Sequence, residues 1–373
     1  MNDAVRLARE LVRIDTAGHG ERAAAELLAS ILARAGADVE LVPYADGRAH
    51  LVAWTGEVST APLVCSGHLD TVPVGDARWE RDPLSGDVSG GMLHGRGAVD
   101  MKSGVAALVV ALTQHIARGP GGRGIVVVLT AAEETGCEGA RHLVDVRTIP
   151  GGGPLLVAEP TDNRIAPGHK GVLWLRVSAR GLSAHGSRPD LGLNAIASLA
   201  RLIIALEAAG LPGGHEVMGP MTCNVGTIVG GTAINLVPDS ASLTIDIRTV
   251  PGVECERILA HIGGLGGRDL SIEVLEDLPP TYSSPDGPFA RSVAAALRSA
   301  TGLAARRPPL AYFTDAAVLA GALSSSEVVL LGPGDPDAAH TTDEACAISA
   351  IEDAVATYGE LFSAWGCPVG APA

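Results

Sequence analysis

The first third of the chain switches between two hydrophobic periods. Apolar residues recur at helical spacing over residues 3–14 (Leu7, Leu11, Ile14) and 20–36 (Leu27, Leu28, Ile31, Leu32), the pattern of a helix that buries one face. Segments 38–44 and 49–54 read as strands. Residues 62–65, 125–130 and 155–158 are short, strongly apolar runs. Runs of this kind predict strands covered on both faces of a sheet. Residues 103–114 lie between the first two, have helical length and contain no proline. Strands alternating with helices in this way predict an α/β fold.

The rhythm changes after the glycine- and proline-rich segments at 151–154 and 167–171. Residues 172–179 alternate, 193–208 form an amphipathic helical pattern, and 222–229 read as a strand. Residues 241–250 alternate strictly, 254–262 read as a helix and 271–278 as a last strand. This β-α-β-β-α-β order is ferredoxin-like. A second proline-rich stretch covers 278–288, after which helix (289–301), strand (327–331) and helix (351–365) resume. The expected architecture is a mixed, largely parallel sheet flanked by helices, with an inserted ferredoxin-like α+β domain. Residues 1–171 and 285–373 would form the larger domain and 172–284 the insert.

Composition narrows the function classes. A chain of 373 residues suggests two or three domains. The apolar fraction of 47% supports a large core and argues against disorder. Lys+Arg is 27 and Asp+Glu is 42, so the formal charge is −15. An acidic balance argues against a nucleic-acid or anionic-membrane partner, because phosphates need a basic patch. No apolar run is long enough to span a bilayer. The first residues carry charges throughout and lack the basic-then-apolar order of a signal peptide, so the expected location is the cytoplasm. Six cysteines, at 65, 137, 223, 255, 346 and 367, form no C-x-x-C pair and read as free thiols. Lysine occurs only at Lys102 and Lys170, against 25 arginines (27 − 2).

Polar residues that could carry chemistry follow the buried strands, where ligands bind in open α/β sheets. Ser66–Asp70 places His68 and Asp70 two apart, facing one way if the chain stays extended. The plainer reading is a loop histidine. Asp100 precedes the helix at 103–114, in GRGAVDMKSG. Met101 stands where a Walker loop needs glycine, so a phosphate loop is rejected and a helix-capping aspartate remains the plainer reading. Glu133 and Glu134 end a very apolar strand and need a cation or proton if buried; the alternative, an exposed acidic turn, is disfavoured by the apolar run before it. Glu159 follows the strand at 155–158, and His340 lies in a Gly/Pro-rich loop after 327–331. Alone, each suits a solvated loop. Together, two histidines and several carboxylates at one end of a sheet suit a divalent metal, or two metals sharing a carboxylate. No H-E-x-x-H and no G-x-S-x-G occurs.

The segments HLDTVP, GRGAVDMKSG, AAEETG, AEPT and GPGDPDAAHTTDE appear in this order across almost the whole chain. That series resembles the co-catalytic zinc exopeptidase and deacylase superfamily, which includes acetylornithine deacetylase, succinyl-diaminopimelate desuccinylase, aminoacylase and carboxypeptidase G. The resemblance implies a metal-binding catalytic domain and an insert used for dimerisation, hence a homodimer. It implies two divalent ions, zinc first, with cobalt or manganese as alternatives. His68 and Glu159 would hold one ion, Glu134 and His340 the other, and Asp100 would bridge them, with a cis peptide after it. Asp70 would orient His68, and Glu133 would be the general base. In the insert, GLSAHGSRPDLGLNAI and GGTAINLVPDSASLTIDIR would supply His185 to the oxyanion, from the partner subunit, and Asn235 and Arg248 to the substrate. Residues 312–315 (YFTD) depart from the glycine-rich Gly-Thr-Asp of many relatives, so substrate identity does not transfer directly.

The implied reaction is hydrolysis of the amide bond of an N-acyl amino acid by metal-activated water. A carboxypeptidase or dipeptidase, or a deacylase of a carrier-bound amino acid, would share the same ligands. A metal-binding homologue without catalysis is the remaining alternative.

Overall fold

The computed structural model describes residues 3–119, 122–266 and 269–366. Cys367, read above as a free thiol, lies outside them. The chain parts into two compact units. One holds the chain through Gly168, Tyr282–Pro308 and the residues from Thr314 onward; the other holds His169–Thr281 and Pro309–Phe313.

The larger unit begins with α1 (Asp3–Val12), α2 (Glu21–Ala35), β1 (Asp38–Ala45), β2 (Arg48–Thr55) and β3 (Leu63–His68). It continues with α3 (Lys102–Ala117), β4 (Ile125–Thr130), α4 (Glu138–Val146) and β5 (Leu155–Val157). Every residue of β3, β4 and β5 is buried, as their unbroken apolar runs require. Gly36 ends α2 in the left-handed region (φ 99°), where its amide bonds back to the last turn.

In the smaller unit, β6 (Gly171–Arg180), α5 (Ala195–Ala209), β7 (Thr222–Gly230), β8 (Ser240–Thr249), α6 (Cys255–Gly266) and β9 (Leu270–Leu278) follow in turn. Their antiparallel sheet has the order β7-β8-β6-β9. This is the ferredoxin-like arrangement, and α5 packs on β6, β7 and β8. The alternation in β8 buries every second residue, among them Leu243, Ile245 and Ile247. Leu310 joins this unit because its carbonyl accepts the Lys170 amide (2.9 Å).

The chain then returns to the larger unit with α7 (Pro288–Thr301), α8 (Ala316–Ala322), β10 (Val328–Leu330) and α9 (Ile348–Gly366). The main sheet runs β1-β2-β4-β3-β5-β10. Its four strands from β4 to β10 are parallel, and the β1–β2 hairpin is antiparallel. It is therefore the mixed, largely parallel sheet expected from the pattern. Helices α1, α3, α7 and α9 pack together, around buried Leu11, Leu108, Tyr358 and Phe362. Helices α4 and α8 pack on one another.

The sheet edges differ in how they are guarded. β1 carries Pro43 and an irregularity beside it, and β10 is three residues long and bridged by Ala166. β9 bears Glu273, Glu276 and Asp277 and a register shift. β7, at the other edge of the second sheet, also has a register shift, between Val225 and Thr227, but is nine residues long, largely exposed and uncharged.

Candidate metal centre

The parallel strands deliver their following residues to one end of the sheet. His68 is the last residue of β3, Glu133 and Glu134 follow β4, and Glu159 follows β5. Asp100 sits just before α3, and the peptide between Asp100 and Met101 is cis. Helix α3 approaches closely because residue 104 is glycine: a Cβ there would lie 2.2 Å from the Ala158 carbonyl oxygen.

Asp100 does not cap α3; the cap position is Met101, with no side-chain bond to the helix. Its carboxylate stands between two imidazoles instead. Oδ1 is 3.0 Å from His68 Nε2, and Oδ2 is 3.4 Å from His340 Nε2. His68 Nε2 is also 3.9 Å from Glu159 Oε1, and His340 Nε2 is 3.0 Å from Glu134 Oε1. Ligand atoms of His68, Asp100 and Glu134 all lie within 4.8 Å of one another. One carboxylate thus joins a His68–Glu159 cluster to a His340–Glu134 cluster. His340 itself adopts a left-handed backbone (φ 62°) and is half-exposed.

Asp70 engages both His68 and the turn after β4. Its backbone carbonyl accepts from His68 Nδ1 at 3.0 Å, fixing Nε2 as the atom that faces Asp100. Its buried carboxylate lies 3.6 Å from Nδ1 and accepts the amides of Glu133 and Glu134, each at 3.1 Å. Asp70 therefore holds the turn that carries both glutamates. That turn is no exposed acidic loop: Glu133 is 5% exposed, and Glu134 is close to buried.

The electrostatics follow from burying many acids with few cations. Burial, reinforced by Glu134, Glu159 and Asp315, raises the Glu133 carboxyl well above its ordinary range. Burial and Asp100 do the same to Glu159. Burial opposes ionisation of Asp100, but hydrogen bonds to His340 and His68 outweigh it and hold its pKa low. Burial also opposes the charge on His68, yet Asp100 and Asp70 outweigh it and push its pKa well up. Hydrogen bonds to Asp100 and Glu134 raise His340 to about 10. The carboxylates outnumber the imidazoles that serve as their counter-charges. Nitrogen and oxygen donors at this spacing, with surplus buried negative charge, fit divalent cations.

Some contributors escape a reading by sequence. Glu344, four residues beyond His340, turns inward and accepts from the Val99 and Asp100 amides (2.7 and 3.1 Å). Asp315, in the YFTD segment, is buried, accepts from Thr130 Oγ1, and is raised by burial to about 6. Proximity to a motif was the available signal for each; their bonding partners are far away in sequence.

His185, Asn235 and Arg248 lie in the smaller unit. His185 and Asn235 are exposed on adjoining loops, tied by the Gly186 amide to the Asn235 carbonyl (2.7 Å). His185 Nδ1 is 2.8 Å from Ser187 Oγ. Arg248 lies on β8, where it donates to Asp246 at 3.0 Å and stands over the Phe313 ring at 5.8 Å. Phe313 in turn meets Trp174 edge-on at 6.3 Å.

Comparison with known proteins agrees with this arrangement. Residues 64–364 match Peptidase family M20/M25/M40. A succinyl-diaminopimelate desuccinylase of Cereibacter sphaeroides is 31% identical, over 95% of this chain and 97% of the relative. Another, of Methylorubrum extorquens, is 31% identical over 96% and 98%. The fold matches an M20 family metallo-carboxypeptidase of Sulfolobus solfataricus at a TM-score of 0.80, with 17% identity over 98% of this chain and all of that one. A tripeptidase of Staphylococcus aureus gives 0.77, with 22% identity over 98% of each chain. With this match across the motifs and the sheet that presents them, the chain belongs to peptidase family M20/M25/M40 and is a metal-dependent hydrolase.

Proposed function

We propose that the protein hydrolyses the amide bond of an N-acyl amino acid, as an acetylornithine deacetylase- or desuccinylase-like enzyme. The observation that carries the reading is the Asp100 carboxylate, set between two imidazole–carboxylate clusters beside the turn that holds Glu133. The desuccinylase relatives, similar over nearly their whole length, support an acyl amino acid over a peptide. His68 and Glu159 would hold one ion, Glu134 and His340 a second, with Asp100 shared. Zinc suits this donor set first, cobalt or manganese next. Bound ions would supply Lewis acidity and lower the pKa of water at the site.

The chain's own groups perform the remaining work. Glu133 takes the proton of the attacking water and passes it to the leaving amine. Asp70 keeps the Glu133 backbone fixed while the proton moves. His185, supplied by a partner subunit, would donate to the oxyanion, Asn235 would contact the substrate, and Arg248 would grip its carboxylate.

The smaller unit would also be the dimer surface. Its edge strand β7 exposes Ile228 and Val229 (47% and 70%) and carries none of the charges that discourage edge pairing. The cytoplasm is the matching compartment, since Cys65, Cys137, Cys223, Cys255 and Cys346 are all free thiols.

The test is amine release from N-acetyl-ornithine, N-succinyl-diaminopimelate, other N-acyl amino acids and dipeptides, with zinc or cobalt supplied. Metal-dependent turnover of an acyl amino acid is expected. Turnover of dipeptides alone would make the enzyme a peptidase; silence across the panel with metal bound would overturn the substrate class.

A further inference from the structure

The residue that bridges the two clusters is held by a second acid that touches neither. Glu344 is buried, with a fully enclosed carboxylate. Its Oε1 accepts from the Val99 amide at 2.7 Å and the Asp100 amide at 3.1 Å. Its Oε2 accepts from the Gly97 amide at 3.1 Å and from Arg96 Nη1 at 2.6 Å. The Glu344 carbonyl accepts the Gly95 amide at 2.9 Å. Segment 95–100 is thus strapped along its length to the end of the loop that begins at His340.

Arg96 completes the strap. Besides Glu344, its Nη1 reaches the Thr341 carbonyl at 3.2 Å, next to His340. The guanidinium lies over the Trp79 ring at 5.2 Å, so it is held from both sides. Its charge offsets that of Glu344, and every bond it makes here is charge-assisted. Both oxygens of Glu344 already face donors, so the group is turned to the loop and away from the cluster.

We propose that Glu344 is a positioning residue: it fixes the Asp100 carboxylate against His340 and so sets how tightly the centre holds its metals. The proposal rests on the reading of Asp100 and His340 as metal ligands. Without the strap, the 3.4 Å approach of Asp100 Oδ2 to His340 Nε2 would lose the bonds that tie the two segments directly to each other. Outer partners that orient ligands typically contribute about 10- to 100-fold in affinity.

Glu344→Gln tests this with shape preserved. In either orientation its amide NH₂ meets backbone or Arg96 N–H groups, so one end of the strap must open. Zinc binding to the metal-stripped full chain would be titrated calorimetrically and by chelator competition, alongside far-UV circular dichroism and Tm. Expected is wild-type secondary structure and at least about tenfold weaker binding. Arg96→Met, which leaves Glu344 with its amide donors but without its counter-charge, should change affinity in the same direction and serves if the first variant does not fold. Glu21→Gln controls for general destabilisation, because it breaks a buried pair with Arg48 elsewhere. Affinity within about twofold of wild type in Glu344→Gln would overturn the proposal, as would an equal loss in Glu21→Gln. Wild-type protein that binds no zinc would instead overturn the ligand reading on which the proposal rests.

Discussion

Replacing Glu133 by glutamine separates the chemistry of the centre from its stability. The side chain is 5% exposed, and Glu134, Glu159 and Asp315 all oppose its ionisation. Its Oε1 receives a long contact from Cys137 Sγ at 3.8 Å. Glu133→Gln keeps the volume and removes a charge that its neighbours disfavour. The metal-free protein should therefore be unchanged or slightly more stable near neutral pH. The rate should respond oppositely. A positioned general base contributes about 10²–10⁴ in rate, or about 2.7–5.4 kcal/mol of barrier at about 1.36 kcal/mol per decade. The assay is kcat on the best substrate of the panel, with metal content by atomic emission and Tm on the same preparation. Loss of turnover with full metal content is the expected result. A kcat close to wild type would refute the base assignment. Simultaneous loss of metal would place Glu133 among the ligands instead.

Other outcomes follow from the same geometry. Asp70→Asn leaves one of two buried amides facing a donor, and bonds to a charged acceptor are worth about 1.5–3 kcal/mol each; a urea midpoint that did not fall would contradict its structural role. His340, raised to about 10 in the fold, binds more protons there than in the unfolded chain above its ordinary pKa of about 6.5. Its stabilisation is full below about 6.5 and is lost as pH rises towards that raised value; half-exposure keeps the effect small. In chelator, the fall of Tm over this range should be shallower in His340→Ala, and parallel curves would count against the Asp100–Glu134–His340 network. His185→Ala should lower kcat about 10²–10³-fold with metal content unchanged; an unchanged kcat would leave His185 a loop residue. Val229→Arg should yield monomers by analytical ultracentrifugation, whereas a persisting dimer would assign the interface elsewhere.

The legible parts of this protein were those with a strong period or an unmixed composition. The β-branched run IVVVLT suited a buried strand, and the alternation in β8 and helical stripe of α5 gave the insert its order. Helices α4 and α8 were harder. Each is short, and AAVLAGA is apolar all round, so it offers no polar face to set a period. The candidate ligands were visible because each follows a buried strand or opens a helix. The bonds of Asp70 and Glu344 to backbone amides were not, because amides leave no mark in a sequence. Glu344 joins segments 244 or more residues apart, a closeness that only the folded chain creates.

Strand β7 has a consequence during protein synthesis. Its backbone edge is long and uncharged, whereas the outer strands β1, β10 and β9 are blunted by proline, brevity or acidic side chains. A newly made chain therefore presents an adhesive ribbon until something covers it. Accretion into larger aggregates can begin from such an edge, so crowded, rapid expression should favour it. Slower synthesis should recover soluble protein without any change to the chain.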